Sequence, residues 1–205
     1  MSRLDQYQSL QLLNDHYKDT FTRLAEYRQL RDRLFALILV MITIVLFGVY
    51  SPNEADIATG EIISKQLGLQ SPLDISFIGS IIWFSLLSLV IRYFQTVMLI
   101  ERQYDYVHKL EDELSRNFKG VAFTREGKSY LENYPLFSNW THFLYASAFP
   151  GILIIVTILK IGNEIYYSNG LSLLLAFNIV FAVCILISTV LYLMSAHRRA
   201  HNKTG

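Results

Sequence analysis

One long run, from Ile75 to Phe118, most constrains what this chain can fold into. It contains no proline, and no charged side chain occurs between Ile75 and Ile91, whereas many charges follow from Arg92 onward. An uncharged apolar stretch of this length is typical of a transmembrane helix. Because nothing in the run ends a helix, the sequence predicts one continuous helix that leaves the bilayer near Arg92 and extends into water.

Three further apolar runs complete a predicted all-α, four-helix transmembrane bundle with helical cytoplasmic extensions. Pro150 and Gly151 lie inside the third span and predict a kink there. The predicted segments are a cytoplasmic amphipathic helix at 1–33, a first span at 34–50, an outer loop at 51–72, a second span at 73–91, a cytoplasmic helix and aromatic segment at 92–139, a third span at 140–160, an outer turn at 161–170, a fourth span at 171–195 and a basic cytoplasmic tail at 196–205.

The distribution of lysine and arginine predicts the orientation. Six of the 18 lie in the first 33 residues, seven lie between Arg92 and Lys128, and three lie in the tail. The remaining two are Lys65 in the outer loop and Lys160 at the outer end of the third span. Since basic residues accumulate on the cytoplasmic side, we expect a multi-pass inner-membrane protein with both termini in the cytoplasm.

The cytoplasmic extensions carry apolar stripes at a spacing near 3.5 residues, which is typical of helices that pack on one another. We expect the 1–33 helix to pack on the continuation of the second span, and we expect these stripes to support a homo-oligomer. The predicted oligomer seam on the second helix consists of Val97, Ile100, Tyr104, Val107, Leu114 and Phe118.

The segment from Thr124 to Trp140 is polar and aromatic, and generic membrane physics does not explain it. One interpretation is an aromatic clamp at the inner membrane interface, and the other is a docking surface for a cytoplasmic effector protein. The candidate partner-binding residues are Arg125, Lys128, Tyr130, Glu132, Tyr134 and Phe137.

Polar residues within the spans allow two interpretations each. The serines of the second span, with Gly79, favour close helix packing over a pore lining, since no charged ring or filter motif accompanies them. Arg92 is expected to be a membrane-interface charge that snorkels to phosphates, the alternative being an embedded functional arginine. Thr43, Asn178 and Thr189 are predicted to form hydrogen bonds between helices.

Several classes of function are disfavoured. A net charge of +1 gives no electrostatic reason to expect nucleic-acid binding, and one cysteine, Cys184, allows no multi-cysteine metal site. No acidic residue is expected in the spans, which disfavours an ion relay or an intramembrane enzyme. We therefore expect no enzyme, no cofactor and no catalytic or metal-binding residues.

As an architecture, the chain resembles small bacterial inner-membrane proteins of anti-phage defence operons, in particular the membrane subunit of the Kiwa defence system. The resemblance rests on length, four spans, cytoplasmic termini and the Arg92–Trp140 insertion, and no motif transfers roles to individual residues. It implies a homo-oligomeric membrane sensor that works with a separate cytoplasmic effector. The expected function is thus a non-enzymatic sensor or scaffold, and the alternative is a membrane-disrupting or pore-forming defence effector.

Overall fold

The fold is a set of long helices, seen in a computed structural model. The residues that the structure describes are 3–51, 65, 75–117, 140, 143–168 and 170–204. Within these residues every regular element is helical, and the predicted all-α fold class is confirmed.

The first two helices are the longest. Helix α1 runs from Arg3 to Tyr50 over 48 residues, and helix α2 runs from Ile75 to Asn117 over 43 residues. The unbroken helix predicted from Ile75 is therefore observed, up to the end of the described segment. In α1 the predicted cytoplasmic helix and the first span are also one helix, because no proline or glycine interrupts residues 3–47.

The third helix begins with an irregular turn. Residues Leu144–Ala148 form a π-helical turn, and helix α3 follows from Phe149 to Tyr167. The backbone N–H of Phe149 donates to the Leu144 carbonyl, five residues earlier. A proline ring clashes with the carbonyl four residues before it in a regular α-helix, and a wider turn before Pro150 relieves that clash. A π-helical turn thus lies immediately ahead of Pro150, where the sequence predicts a kink.

A short connection leads from α3 into helix α4, which runs from Leu173 to Thr204. Gly170 has a φ of 140°, a value that side chains disfavour, and its N–H donates to Ser168 Oγ. Because α3 continues to Tyr167, most of the predicted outer turn at 161–170 is helical. A single glycine, Gly162, is not sufficient to end the helix.

Four of the described helices are long and apolar enough to cross a membrane. Large apolar side chains remain exposed along each of them, for example Val40, Phe84, Ile155 and Ile187. Lipid accounts for this exposure, since apolar side chains that face hydrocarbon gain nothing from burial inside the protein. The chain is therefore a multi-pass membrane protein.

The chain divides into two compact units. Two of the divisions fall within α1 and α2, at Arg33/Leu34 and Tyr93/Phe94, and the third falls at Thr141/His142. The membrane unit comprises residues 34–93 and 142–205, and the paired-helix unit comprises residues 1–33 and 94–141. The two divisions within α1 and α2 lie within two residues of the membrane boundaries that the sequence predicts. Helices α1 and α2 each contribute one part to the membrane unit and the other part to the paired-helix unit.

The core of the membrane unit is apolar. Its fully buried side chains include Ile38, Leu86, Leu153 and Ile185, one from each of the four helices. An aromatic group lies near the Tyr93 end of this core, where the Phe35 ring is 4.9 Å from the Phe149 ring. The centre of the Phe35 ring is also 4.9 Å from that of Tyr145 and 6.2 Å from that of Tyr93.

In the paired-helix unit, the N-terminal part of α1 packs on the C-terminal part of α2, as predicted. Leu24 and Val107 are buried, the Tyr17 hydroxyl donates to Glu111 Oε1 at 3.1 Å, and the Arg28 guanidinium lies 4.9 Å from the centre of the Tyr104 ring. Apolar contacts and charge-assisted bonds therefore hold the two helices together without a second copy of the chain.

Replacing Leu24 by alanine should destabilise the paired-helix unit by about 2–5 kcal/mol, because Leu24 is fully buried and the smaller side chain leaves a cavity. Leu12 of the same helix is 74% exposed, so L12A is a matched control that should change stability by less than about 0.5 kcal/mol. Amide hydrogen exchange of residues 97–113, in the full chain in nanodiscs, measures both. Equal protection in the two variants would contradict the packing described above.

Candidate functional site

The most unusual feature of the membrane unit is the carboxylate of Glu164, which accepts hydrogen bonds from three helices. On its own helix, α3, Lys160 Nζ lies 3.2 Å from Oε1. From α2, the Trp83 indole N–H donates to Oε1 at 3.0 Å, and from α4 the Asn178 Nδ2 donates to Oε2 at 3.0 Å. The side chains of Lys160 and Glu164 are only 20% and 17% exposed. One carboxylate thus connects α2, α3 and α4.

The first helix joins this group through the neighbouring residues of α3. Asn163 Nδ2 donates to the Val49 carbonyl at 3.3 Å, next to the end of α1. A Cβ atom at Gly48 would lie 3.7 Å from Lys160 Nζ, so the lysine ammonium runs close to the α1 backbone at a point without a side chain. We call Trp83, Lys160, Asn163, Glu164 and Asn178 the Glu164 cluster. It links all four membrane helices.

Helical spacing explains why these side chains meet. On α3, Leu153 and Val156 are buried in the apolar core, and Lys160, Asn163 and Glu164 follow at steps of three or four residues. Residues so spaced share one face of a helix. The inward face of α3 therefore changes from apolar to polar in its last two turns, and the cluster lies at that end of the core.

The charges of the Glu164 cluster offset each other, but one of its hydrogen-bond acceptors has no partner. The Lys160 ammonium offsets the Glu164 carboxylate, and N–H donors from Trp83 and Asn178 satisfy further oxygen lone pairs. Pairing of this kind is what allows a carboxylate to lie among membrane helices. Asn178 is 6% exposed, and its Oδ1 has no hydrogen-bond partner among the described residues.

Glu164 corrects one prediction made from the sequence. The predicted outer turn begins at residue 161, whereas the helix that contains the third candidate span continues to Tyr167, so Glu164 lies on that helix and not in a turn. The signal was present in the sequence as a Lys160–Glu164 pair in step with the apolar face of α3. The sequence alone predicts that the third span ends at Lys160, which puts Glu164 in the outer turn.

Of the three predicted hydrogen bonds between helices, one is observed. Asn178 bonds to Glu164 of α3, which confirms that prediction. The predictions for Thr43 and Thr189 are wrong, because their hydroxyl groups donate to the Leu39 and Ile185 carbonyls of their own helices. A threonine in a helix can always reach the carbonyl four residues earlier, whereas asparagine is suited to a partner on another helix.

The other sequence-derived candidates lie in different places. Ile100 and Val107 are buried inside the paired-helix unit, and Val97 and Tyr104 are half-buried there. These side chains therefore serve packing within one chain, and their role in an oligomer stays a prediction. Arg92 is exposed, one residue before the division between the two units. The residues outside the described part of the chain are Phe118, the side chain of Leu114, and the docking candidates Arg125, Lys128, Tyr130, Glu132, Tyr134 and Phe137.

No metal-binding group is evident in the part of the chain that the structure describes, where no three histidine, cysteine, aspartate or glutamate side chains come together. The Glu164 cluster offers one carboxylate already paired with an ammonium group, which suits hydrogen bonding between helices rather than metal coordination.

No protein-family model, no curated protein and no solved structure matches this chain. Its function therefore has to be inferred from its own residues and their arrangement.

Replacing Glu164 by alanine should destabilise the membrane unit by about 3 kcal/mol, since it leaves the largely buried Lys160 ammonium without its counter-charge. The double variant K160A/E164A should lose less than the sum of the two single variants, because neither charge is then left unpaired. Unfolding in mixed detergent micelles measures these free energies.

The matched control is Asp19→Ala, which removes an exposed ion pair between Asp19 and Arg23 at the same four-residue spacing. An exposed pair of this kind contributes less than about 0.5 kcal/mol. If E164A cost no more than D19A, the Glu164 cluster would not be a stabilising contact between the spans.

Proposed function

We propose that this protein is a non-enzymatic integral membrane sensor or scaffold that transmits a change in the membrane to a cytoplasmic partner. The observation that carries the proposal is the continuity of α1 and α2. Each helix belongs to the membrane unit in one part and to the paired-helix unit in the other, with no break between them. Such an element passes on motion that a flexible loop would absorb.

The route of the signal follows from these two helices. A helix that tilts or rotates when the bilayer changes thickness also moves the part that lies outside the bilayer. The Glu164 cluster contacts both continuous helices, through Val49 on α1 and Trp83 on α2. A change in the cluster would therefore act on both helices that enter the paired-helix unit.

The distribution of basic residues supports the direction of signalling. Both termini and the paired-helix unit carry most of the lysines and arginines, which favours the cytoplasm for them and the outer side for the Glu164 cluster. The architectural resemblance favours the bacterial inner membrane and anti-phage defence as the setting. A homo-oligomer and a separate cytoplasmic effector protein complete the proposal.

An alternative of a different class is a membrane-disrupting effector whose oligomer opens a pore. The observation in its favour is that Ser88 is exposed on the membrane unit, although its hydroxyl already donates to the Phe84 carbonyl of its own helix. Against it, the buried face of α2 inside one membrane unit is formed mainly by apolar side chains, including Ile78, Leu86 and Val90. A water-filled path would thus have to form between copies of the chain.

Replacing residues 120–138 by a glycine–serine segment of equal length should abolish recovery of a cytoplasmic partner, because the candidate docking residues are removed while the spans are unchanged. Affinity purification of the full chain from its native host, followed by mass spectrometry, measures recovery. The same replacement in residues 53–64 is the control and should leave recovery unchanged. Full recovery after replacement of residues 120–138 would refute the docking role.

Vesicles that contain the full chain should retain an encapsulated dye as well as protein-free vesicles do, since a sensor needs no open path across the bilayer. A fluorescence leakage assay at several ratios of protein to lipid provides the measurement. Leakage that rises with protein density would favour the pore-forming alternative over the sensor.

A further inference from the structure

The oxygen of the Asn178 side chain is the least satisfied polar atom in the described part of the membrane unit. The Asn178 residue is only 6% exposed, and its Oδ1 accepts no hydrogen bond from a described residue. The amide is oriented by its Nδ2, which donates to Glu164 Oε2, because the reverse orientation would place two oxygens against each other. The unsatisfied acceptor is therefore a property of the closed cluster.

The position of the cluster along the helices brings it close to water. Glu164 lies three residues before the end of α3, and Asn178 lies five residues after the start of α4. At about 1.5 Å per residue these offsets are roughly 5 and 8 Å, against a hydrocarbon core of about 30 Å. The cluster thus lies just inside one boundary of the spans, where bilayer thickness decides how near water comes.

We propose that the Glu164 cluster is a latch that binds water, with Asn178 Oδ1 as the atom that gains a hydrogen bond when the latch opens. Closed, the oxygen exposes less than 1 Å², so water reaches it only if the surrounding side chains part. Open, water donates to Oδ1, which relieves the cost of a buried unsatisfied acceptor. A bilayer that thins or becomes disordered therefore favours the open state.

The charges of the cluster identify the ligand as a neutral hydrogen-bond donor. Glu164 and Lys160 already offset each other, so a bound cation would add a charge that no cluster side chain balances. Because Oδ1 is fully enclosed when the cluster is closed, the smallest donor, water, requires the least separation of the surrounding side chains. The role of the latch as the switch of the sensor rests on the proposed function. The opening of the latch itself can be measured without a partner protein.

The test measures hydrogen exchange of the Trp83 indole N–H, which donates to Glu164 when the latch is closed. The chain has two tryptophans, and a W140F background leaves Trp83 as the single indole signal in a nitrogen-15 NMR spectrum. Exchange through brief opening reports the open population even when it is small. The full chain is reconstituted into phosphatidylcholine bilayers with acyl chains of 14 or 18 carbons.

We expect faster exchange in the thinner bilayer, and we expect N178L to lose most of this dependence, because leucine has no acceptor for water to satisfy. A hydrogen bond from water to one buried acceptor shifts the equilibrium between the closed and open latch about fivefold. Because water reaches the open latch more readily in the thinner bilayer, exchange in the parent should be about fivefold faster there. The matched control is T189V, which removes a buried hydroxyl bonded to its own helix and should keep the dependence of the parent.

Exchange that is the same in both bilayers, or a dependence in N178L as large as in the parent, would overturn the latch. If N178L does not reconstitute, N178A replaces it, since alanine also removes the acceptor. A working latch together with unchanged partner recovery after replacement of residues 120–138 would remove the docking route of the sensor alone. Loss of the partner together with no bilayer dependence would remove only the latch.

Discussion

The absence of water in the hydrocarbon core is the constraint on which this structure depends. Backbone N–H and C=O groups that cross lipid must bond within their own segment, which leaves helices as the solution for a chain of this kind. The same constraint applies to side chains. Glu164 is accommodated because Lys160, Trp83 and Asn178 provide what water would otherwise provide. Both the helices and the cluster thus satisfy polar groups with partners from the protein in place of water.

The membrane unit combines two kinds of contact with different consequences. Apolar packing around Leu86 and Leu153 is close but non-directional, since it depends on the area and volume filled and not on the orientation of individual groups. The Glu164 cluster is directional, since each of its hydrogen bonds depends on distance and angle. A directional contact near one end of an apolar bundle is either made or broken, which is the behaviour that a two-state sensor needs.

The proposed sensor depends on the continuity of α1 and α2 to carry a change out of the membrane unit. If α1 or α2 ended at the membrane boundary, a change at Trp83 or Val49 would stay within the membrane unit. Both helices instead continue into the paired-helix unit, where Tyr17 bonds to Glu111 and Leu24 is buried. The residues that we expected to hold copies of the chain together, such as Val107, hold these two helices together.

The sequence by itself determined the helical fold, the four spans and the uninterrupted course of α2, because hydropathy and the absence of helix breakers are local properties. Its charge pattern also predicts membrane boundaries near Arg33 and Arg92, which lie close to two of the divisions between the compact units. Only the tertiary structure decided that Glu164 faces Trp83 and Asn178, which lie 81 and 14 residues away in the chain. A hydropathy profile assigns a charged residue near the end of a span to a loop, because the profile contains no information about partners on other helices.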